Sequence, residues 1–321
     1  MNMVSKIEHP QHKVAAPAKE VRPLPRRPAR RRDDQRALWL FMVPSLAVIC
    51  CVLLVPLGYA IYLSFTDYNL TTGGATAFVG LSNYQDLLGE ERFWSSLVRT
   101  VFIVTSAVTL EFALGLAIAY GLYKLTFGAK SLLMLVFIPY VITPTVAALF
   151  LRWLFMGRFG LISGMIIGMG YYPPDFLGSA GWAQFTVIIA DAWQFTPFMV
   201  LTLYAGLNTV DTSLIEAAKI DGAGPLTILF RIMLPSIKFL IVFVLSVRFM
   251  DAFRFFDTIY VLTAGGPGTA TETLTMYTYA LAFRFFEVGK ASALGVITLL
   301  FVASVTAVML WVVFRRRGES Q

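Results

Sequence analysis

Six stretches of this chain are long and apolar enough to cross a bilayer as helices, which constrains its fold more than any other feature. They lie near residues 38–65, 95–120, 132–155, 184–207, 239–263 and 291–314. A hydrocarbon core about 30 Å thick needs roughly 20 helical residues. Inside it, only helices or a closed barrel satisfy every backbone N–H and C=O. Composition points the same way: 57% of the residues are hydrophobic and 14% charged, against about 25% charged in soluble domains. The expected fold is therefore all-α and integral to the membrane, with six transmembrane helices. The two cysteines, Cys50 and Cys51, are neighbours in an apolar run, which excludes a disulfide framework or a four-cysteine zinc site. With only two histidines, the chain is expected to carry no cofactor and no metal.

Charge sets the expected orientation. Residues 1–37 hold ten Lys/Arg, four Asp/Glu and five of the fifteen prolines, which predicts a disordered basic tail ahead of the membrane domain at 38–315. Such a block before a first span reads as a topology anchor rather than a nucleic-acid arm. A cleaved signal is not expected, because the apolar run starts near Leu38 and is far too long. With six spans, one face receives eighteen Lys/Arg and the other only Arg92, Arg158, Arg284 and Lys290. The positively charged face is the cytoplasmic one, so both termini, including a short tail at 316–321, are expected to be cytoplasmic.

Prolines at 44, 56, 139, 144 and 197 interrupt the spans, as is tolerated where neighbouring helices or a cavity satisfy the freed carbonyls. No internal repeat is visible, which argues against an inverted-repeat secondary transporter. No clustered histidine or nucleophile–base set supports a membrane enzyme. No phosphate-binding G-x-x-x-x-G-K-[ST] loop occurs either.

Between the fourth and fifth spans lies NTVDTSLIEAAKIDGAGPLTILFRIMLPSIK, residues 208–238. Ser213-x-x-Glu216 fits a capping box, in which the Ser213 hydroxyl caps the Glu216 amide. About two turns of helix follow, exposing Ala217 and Ala218. Gly222 stands where a left-handed C-terminal residue is wanted, and Pro225 suits the first turn of a second short helix. This predicts a helix–turn–helix, with Pro235 leading into the next span. Such short helices gain little alone, so a docking partner is expected.

The string Glu216-Ala217-Ala218, three residues, Gly222, then Ile232-x-Leu234-Pro235 resembles the EAA loop of ABC importer permeases, the binding-protein-dependent kind. FFDTIYVLTAGGPG at 255–268, Thr271-Glu272-Thr273, Tyr277-x-Tyr279 and WQFTPFMVLTLYAGL at 193–207 are similar to the sugar branch of maltose and glycerol-3-phosphate permeases. The resemblance covers roughly residues 36–315. It implies a coupling loop at 211–235 whose Glu216, Ala217, Ala218, Asp221, Gly222 and Ala223 meet a separate ATPase. Glu216 alone also fits a plain capping role. It further implies two ATP-binding subunits that hold the nucleotide, a second homologous permease, an extracytoplasmic solute-binding protein and a sugar-like solute. Glycerol-3-phosphate or another anionic solute is the rival within the family.

Arg248, Asp251, Arg254 and Asp257 follow one another at intervals of three with alternating sign. At this spacing they form a ladder of neighbours on a helix. The ladder either lines a solute path or fixes helix packing, since ionisable groups in hydrocarbon face an interior or a wet cavity. Glu111 and Asp191 lack a local cation, and Arg99 is a long-range candidate partner. Aromatic rings offer stacking faces to sugars, so the candidate path comprises Asp191, Trp193, Arg248, Asp251, Phe253, Arg254 and Asp257. Gly265-Gly266-Pro267-Gly268 reads as a sharp turn.

Overall fold

The computed structural model describes residues 32–72 and 76–318. The basic tail therefore lies largely outside the described residues. Its last six positions are helical: α1 runs Arg32–Leu63, beginning ahead of the expected boundary at residue 38. Two compact units divide the chain after Val55, and the packing below belongs to the second. Among the described residues there is no strand beyond two isolated bridges.

After α1 come α2 (Ser82–Gly89), α3 (Glu91–Lys124), α4 (Ala129–Val141), α5 (Pro144–Phe155), α6 (Leu161–Gly168) and α7 (Ala180–Leu207). The remainder are α8 (Thr212–Ile220), α9 (Pro225–Ile228), α10 (Leu234–Ser236), α11 (Lys238–Phe253), α12 (Asp257–Leu262), α13 (Leu274–Phe283) and α14 (Val288–Gly318). Four helices are long and apolar enough to cross a membrane: Phe41–Leu63, Glu91–Lys124, Ala180–Leu207 and Val288–Trp311. Two further pairs qualify only if each is one bent span. These are α4 with α5, bent by 92°, and Pro225–Ser236 with α11, bent by 76°.

The bends follow from proline chemistry. Thr143 precedes Pro144 and is extended (φ −61°, ψ 141°), as is Ile142 before it. The proline ring disfavours helical geometry at the preceding residue, and Pro144 restarts the helix as its first residue. The break leaves the Ile142 carbonyl free, and Gln194 of α7 donates to it through Nε2 at 3.0 Å. Ahead of Pro235 the chain loosens into a π-turn at Leu229–Met233, and Ile237 then breaks the helix (φ −103°, ψ 17°).

Helices α3 and α7 form the central pair. At Gly115 a Cβ would lie 2.6 Å from the Met199 Cβ, so the two backbones approach only because that side chain is missing. Small residues at such crossings are what lets helices pack in lipid. One core region joins α3, α7 and α11 through Leu116, Met199, Leu203 and Val244; another joins α5, α7 and α12 through Leu151, Val187 and Ile259.

The turn after α12 is as expected, with positive φ at Ala264, Gly265 and Gly268. It is pinned to neighbouring helices. Arg92 grips Glu272 with two bonds of 3.0 and 2.6 Å, and Thr100 Oγ1 accepts from the Leu274 N–H at 2.9 Å.

Candidate functional site

Arg248 of α11 is 2% exposed, a cation buried where only paired charge is tolerable. Nε and Nη2 donate side-on to Glu111 of α3, at 2.7 and 2.9 Å. Nη2 also donates to Asp191 of α7 at 2.6 Å, and Nη1 to Asp251 at 3.0 Å. The ring of Phe195 covers the guanidinium face at 3.9 Å from its centroid. Three helices are thus fastened through one planar fork.

This corrects two expectations. Glu111 and Asp191 take Arg248, not Arg99, as their cation; Arg99 instead lies 3.9 Å from Glu272. The charge ladder also stops after its first rung. Helix α11 ends at Phe253, because Arg254 turns the chain (φ −89°, ψ 4°) and Asp257 opens α12. No ion pair joins Arg254 to Asp257 among the described residues, although the helical register predicted neighbours.

A cleft of about 150 Å³ opens at that break. Its wall contains Asp251, Arg254 and Asp257, all exposed, with Phe195, Phe255 and Phe256 beside them. Arg248 reaches it only at an edge. Four of the sequence candidates therefore share one cavity: Arg248, Asp251, Arg254 and Asp257. The other three do not line it. Asp191 is buried behind Arg248. Trp193 packs against Phe150, and Phe253 is buried in the core between Phe249 and Phe301. Glu111 is the residue that sequence reasoning left out of the candidate path and assigned to the wrong cation. Nothing local marks its pairing, since 137 positions separate it from Arg248.

At the other candidate site, α8 carries the Glu216-Ala217-Ala218 string. Its cap is not Ser213, as the sequence predicted. Asp211 accepts the Ser213 N–H at 2.9 Å, so the helix starts two residues earlier and Ser213 falls inside it. That hydrogen bond holds the Asp211 carboxyl below its ordinary range. The helix ends in a Schellman pair: Ala223 N–H bonds to the Ala218 carbonyl and Gly222 N–H to that of Lys219. Gly222 is left-handed at φ +78°.

Pro225 is the first residue of α9, and Tyr120 of α3 donates to its carbonyl at 3.0 Å. Ala218, expected to be exposed with Ala217, instead faces the core, because it lies three residues after the buried Ile215 on the same helix face; Glu216, Ala217, Asp221 and Gly222 are exposed and Ala223 is half-buried. Three large apolar side chains around them also point outward: Ile220 (87% exposed), Leu226 and Phe230.

Among the described residues no His, Cys, Asp and Glu cluster is arranged to hold a metal ion. Comparison with known proteins places the chain. Residues 111–318 match the family described as binding-protein-dependent transport system inner membrane component. A probable ABC transporter permease of Sinorhizobium fredii, y4oQ, is 36% identical over 287 residues, covering 89% of this chain and 93% of that protein. The trehalose transport system permease SugA of Mycobacterium tuberculosis is 36% identical over 267 residues, covering 83% of this chain and 85% of that protein. A bacterial ABC transporter that imports the acidic polysaccharide alginate shares the fold. Its TM-score is 0.77 at 19% identity, with 88% of this chain and 98% of that one covered. The chain belongs to the family of inner-membrane permease components of binding-protein-dependent ABC importers, and is a multi-pass transport subunit rather than an enzyme.

Proposed function

We propose that this chain is one transmembrane subunit of an ATP-driven importer for a neutral sugar, polyol or small glycoside, handed over by an extracytoplasmic binding protein. The observation that carries the solute class is the charge around the cleft. Asp251, Asp257 and Arg254 line it, Arg248 touches its edge, and Glu111 and Asp191 stand directly behind Arg248. Four carboxylates against two guanidinium groups give a formal charge of −2. That field suits the hydroxyls of an uncharged solute and repels an anion such as glycerol-3-phosphate. Aromatic faces at Phe195, Phe255 and Phe256 complete a surface suited to a sugar ring. The relative SugA, whose name assigns it to trehalose transport, supports the same class.

In this reading each bent pair counts as one span, giving six, with both termini cytoplasmic. One of two ATP-binding subunits docks on the loop at 211–235, where apolar side chains are exposed around Gly222. A second permease completes the path. ATP-driven closure of the ATPases moves α8 and α9, and the helices that carry the cleft alternate between faces. The reading is tested in vesicles containing the assembled importer and its binding protein. ATP-dependent uptake of trehalose or maltose is expected, with little uptake of sn-glycerol-3-phosphate. Preferential uptake of the phosphate ester would overturn the neutral solute class.

A further inference from the structure

The node around Arg248 contains more negative charge than one guanidinium needs. Glu111 alone neutralises it, side-on and fully buried. Yet Asp191 adds a second buried carboxylate from another helix, and one of its oxygens, Oδ1, has no hydrogen-bond partner among the described residues. A simple packing clamp gives no reason for that surplus.

We propose that Glu111 and Asp191 are specificity-determining residues for the cleft, which they never line: they occupy Arg248 so that it cannot receive an anion. This rests on the assignment of the cleft to the solute path. A guanidinium offers five N–H donors in a planar fork that matches carboxylate and phosphate equally well. Glu111, Asp191 and Asp251 take four of those donors, and Phe195 covers one face. Only one Nη1 hydrogen is left, and the two carboxylates behind it turn the local field negative. Without them, the edge of Arg248 at the cleft, together with Arg254, would form a ready receptor for a phosphate or carboxylate group.

The test offers tritiated trehalose and radiolabelled sn-glycerol-3-phosphate separately to the assembled importer in lipid nanodiscs, without binding protein. The unsubstituted chain is compared with Asp191→Asn, Glu111→Gln and Asp251→Asn. Each neutralisation behind Arg248 is expected to shift the ratio of trehalose to glycerol-3-phosphate binding about tenfold toward the phosphate. A residue that only packs would lower the yield of assembled importer and leave that ratio unmoved. Asp191→Asn keeps the volume and the acceptor toward Nη2, so it carries the test if Glu111→Gln does not fold. An unchanged ratio in Asp191→Asn, with weakened trehalose binding in Asp251→Asn, overturns the proposal and leaves the cleft assignment standing. Unaltered binding in Asp251→Asn, or binding of neither probe by the unsubstituted importer, overturns the cleft assignment and the proposal with it.

Discussion

The Arg248 node and the segment around Gly222 handle unmet valence in opposite ways. The node is closed: its guanidinium is 2% exposed and satisfied by carboxylates from three helices. The segment is open. Its backbone hydrogen bonds are satisfied locally by a cap and a Schellman turn, while Ile220 and Leu226 remain outside any core. Energy in the first lies within the chain, and in the second it waits for another molecule. The node should therefore govern folding and the segment assembly.

The largest effect that could break this contrast is Arg248→Ala. It strands two buried carboxylates, and removing one member of a buried ionic pair costs about 3–5 kcal/mol. Folded protein in detergent, followed by fluorescence size-exclusion and thermal unfolding, should fall sharply. A stable, monodisperse Arg248→Ala protein would show that the helices do not depend on the node.

Gly222→Asp should do the reverse. At φ +78° nothing among the described residues, its two chain neighbours aside, lies within 4 Å of an added Cβ, so the cost is the local strain of about 1–2 kcal/mol. Permease yield should hold while the ATPase no longer co-purifies. Loss of folded permease instead would mean that the segment stabilises the chain itself.

A third, smaller effect concerns Glu90, which precedes α3 and bonds Lys290 and Tyr277. Burial pushes its carboxyl up, but those hydrogen bonds and the Lys290 and Arg92 charges outweigh it and hold the group below its ordinary range. A depressed folded value means that the tie stabilises above the unfolded pKa and is lost on acidification through the folded one. The thermal-stability difference between the unsubstituted chain and Glu90→Gln should accordingly be full at pH 7, begin to shrink only below about pH 4, and vanish below the depressed folded value. A pH-independent difference would remove the carboxylate from the account.

The smallest effect separates Asp211 from Ser213. Asp211→Ala should increase hydrogen exchange in the first turn of α8, whereas Ser213→Ala should not, because only Asp211 caps it. Equal exchange in both would restore the capping box read from the sequence.

The same contrast explains what the sequence made legible. Around Gly222 every determinant is local: a cap two residues from its donor, a glycine at the left-handed position and a proline at the first turn of α9. The choice between Asp211 and Ser213 misled, since both are good caps and lie two positions apart, and so did Ala218, whose side of the helix depends on what the core presents to it. The spans were readable from hydropathy, but not the 92° turn at Thr143 or the end of α11 at Phe253, because apolar content does not say where a helix bends. The node was least readable. Intervals of three within 248–257 predicted a local ladder, but beyond its rung to Asp251 Arg248 found Glu111 and Asp191, 137 and 57 positions away. A buried guanidinium takes the acceptors that packing presents to it, and sequence spacing does not record those.

The central claim is that the segment at 211–235 is where an ATP-hydrolysing partner docks, and one measurement addresses it directly. With Cys50 and Cys51 replaced by alanine, Ala217→Cys and, separately, Phe78→Cys are introduced into the assembled importer and treated with a short bifunctional thiol–amine reagent. Both positions are exposed, and Phe78 lies between α1 and α2 on the face proposed to be external. A covalent adduct with the ATPase from position 217, strengthened or weakened by ATP, and none from position 78 is the predicted result. An adduct from position 78, or none from 217 in an importer that hydrolyses ATP and transports, would contradict it.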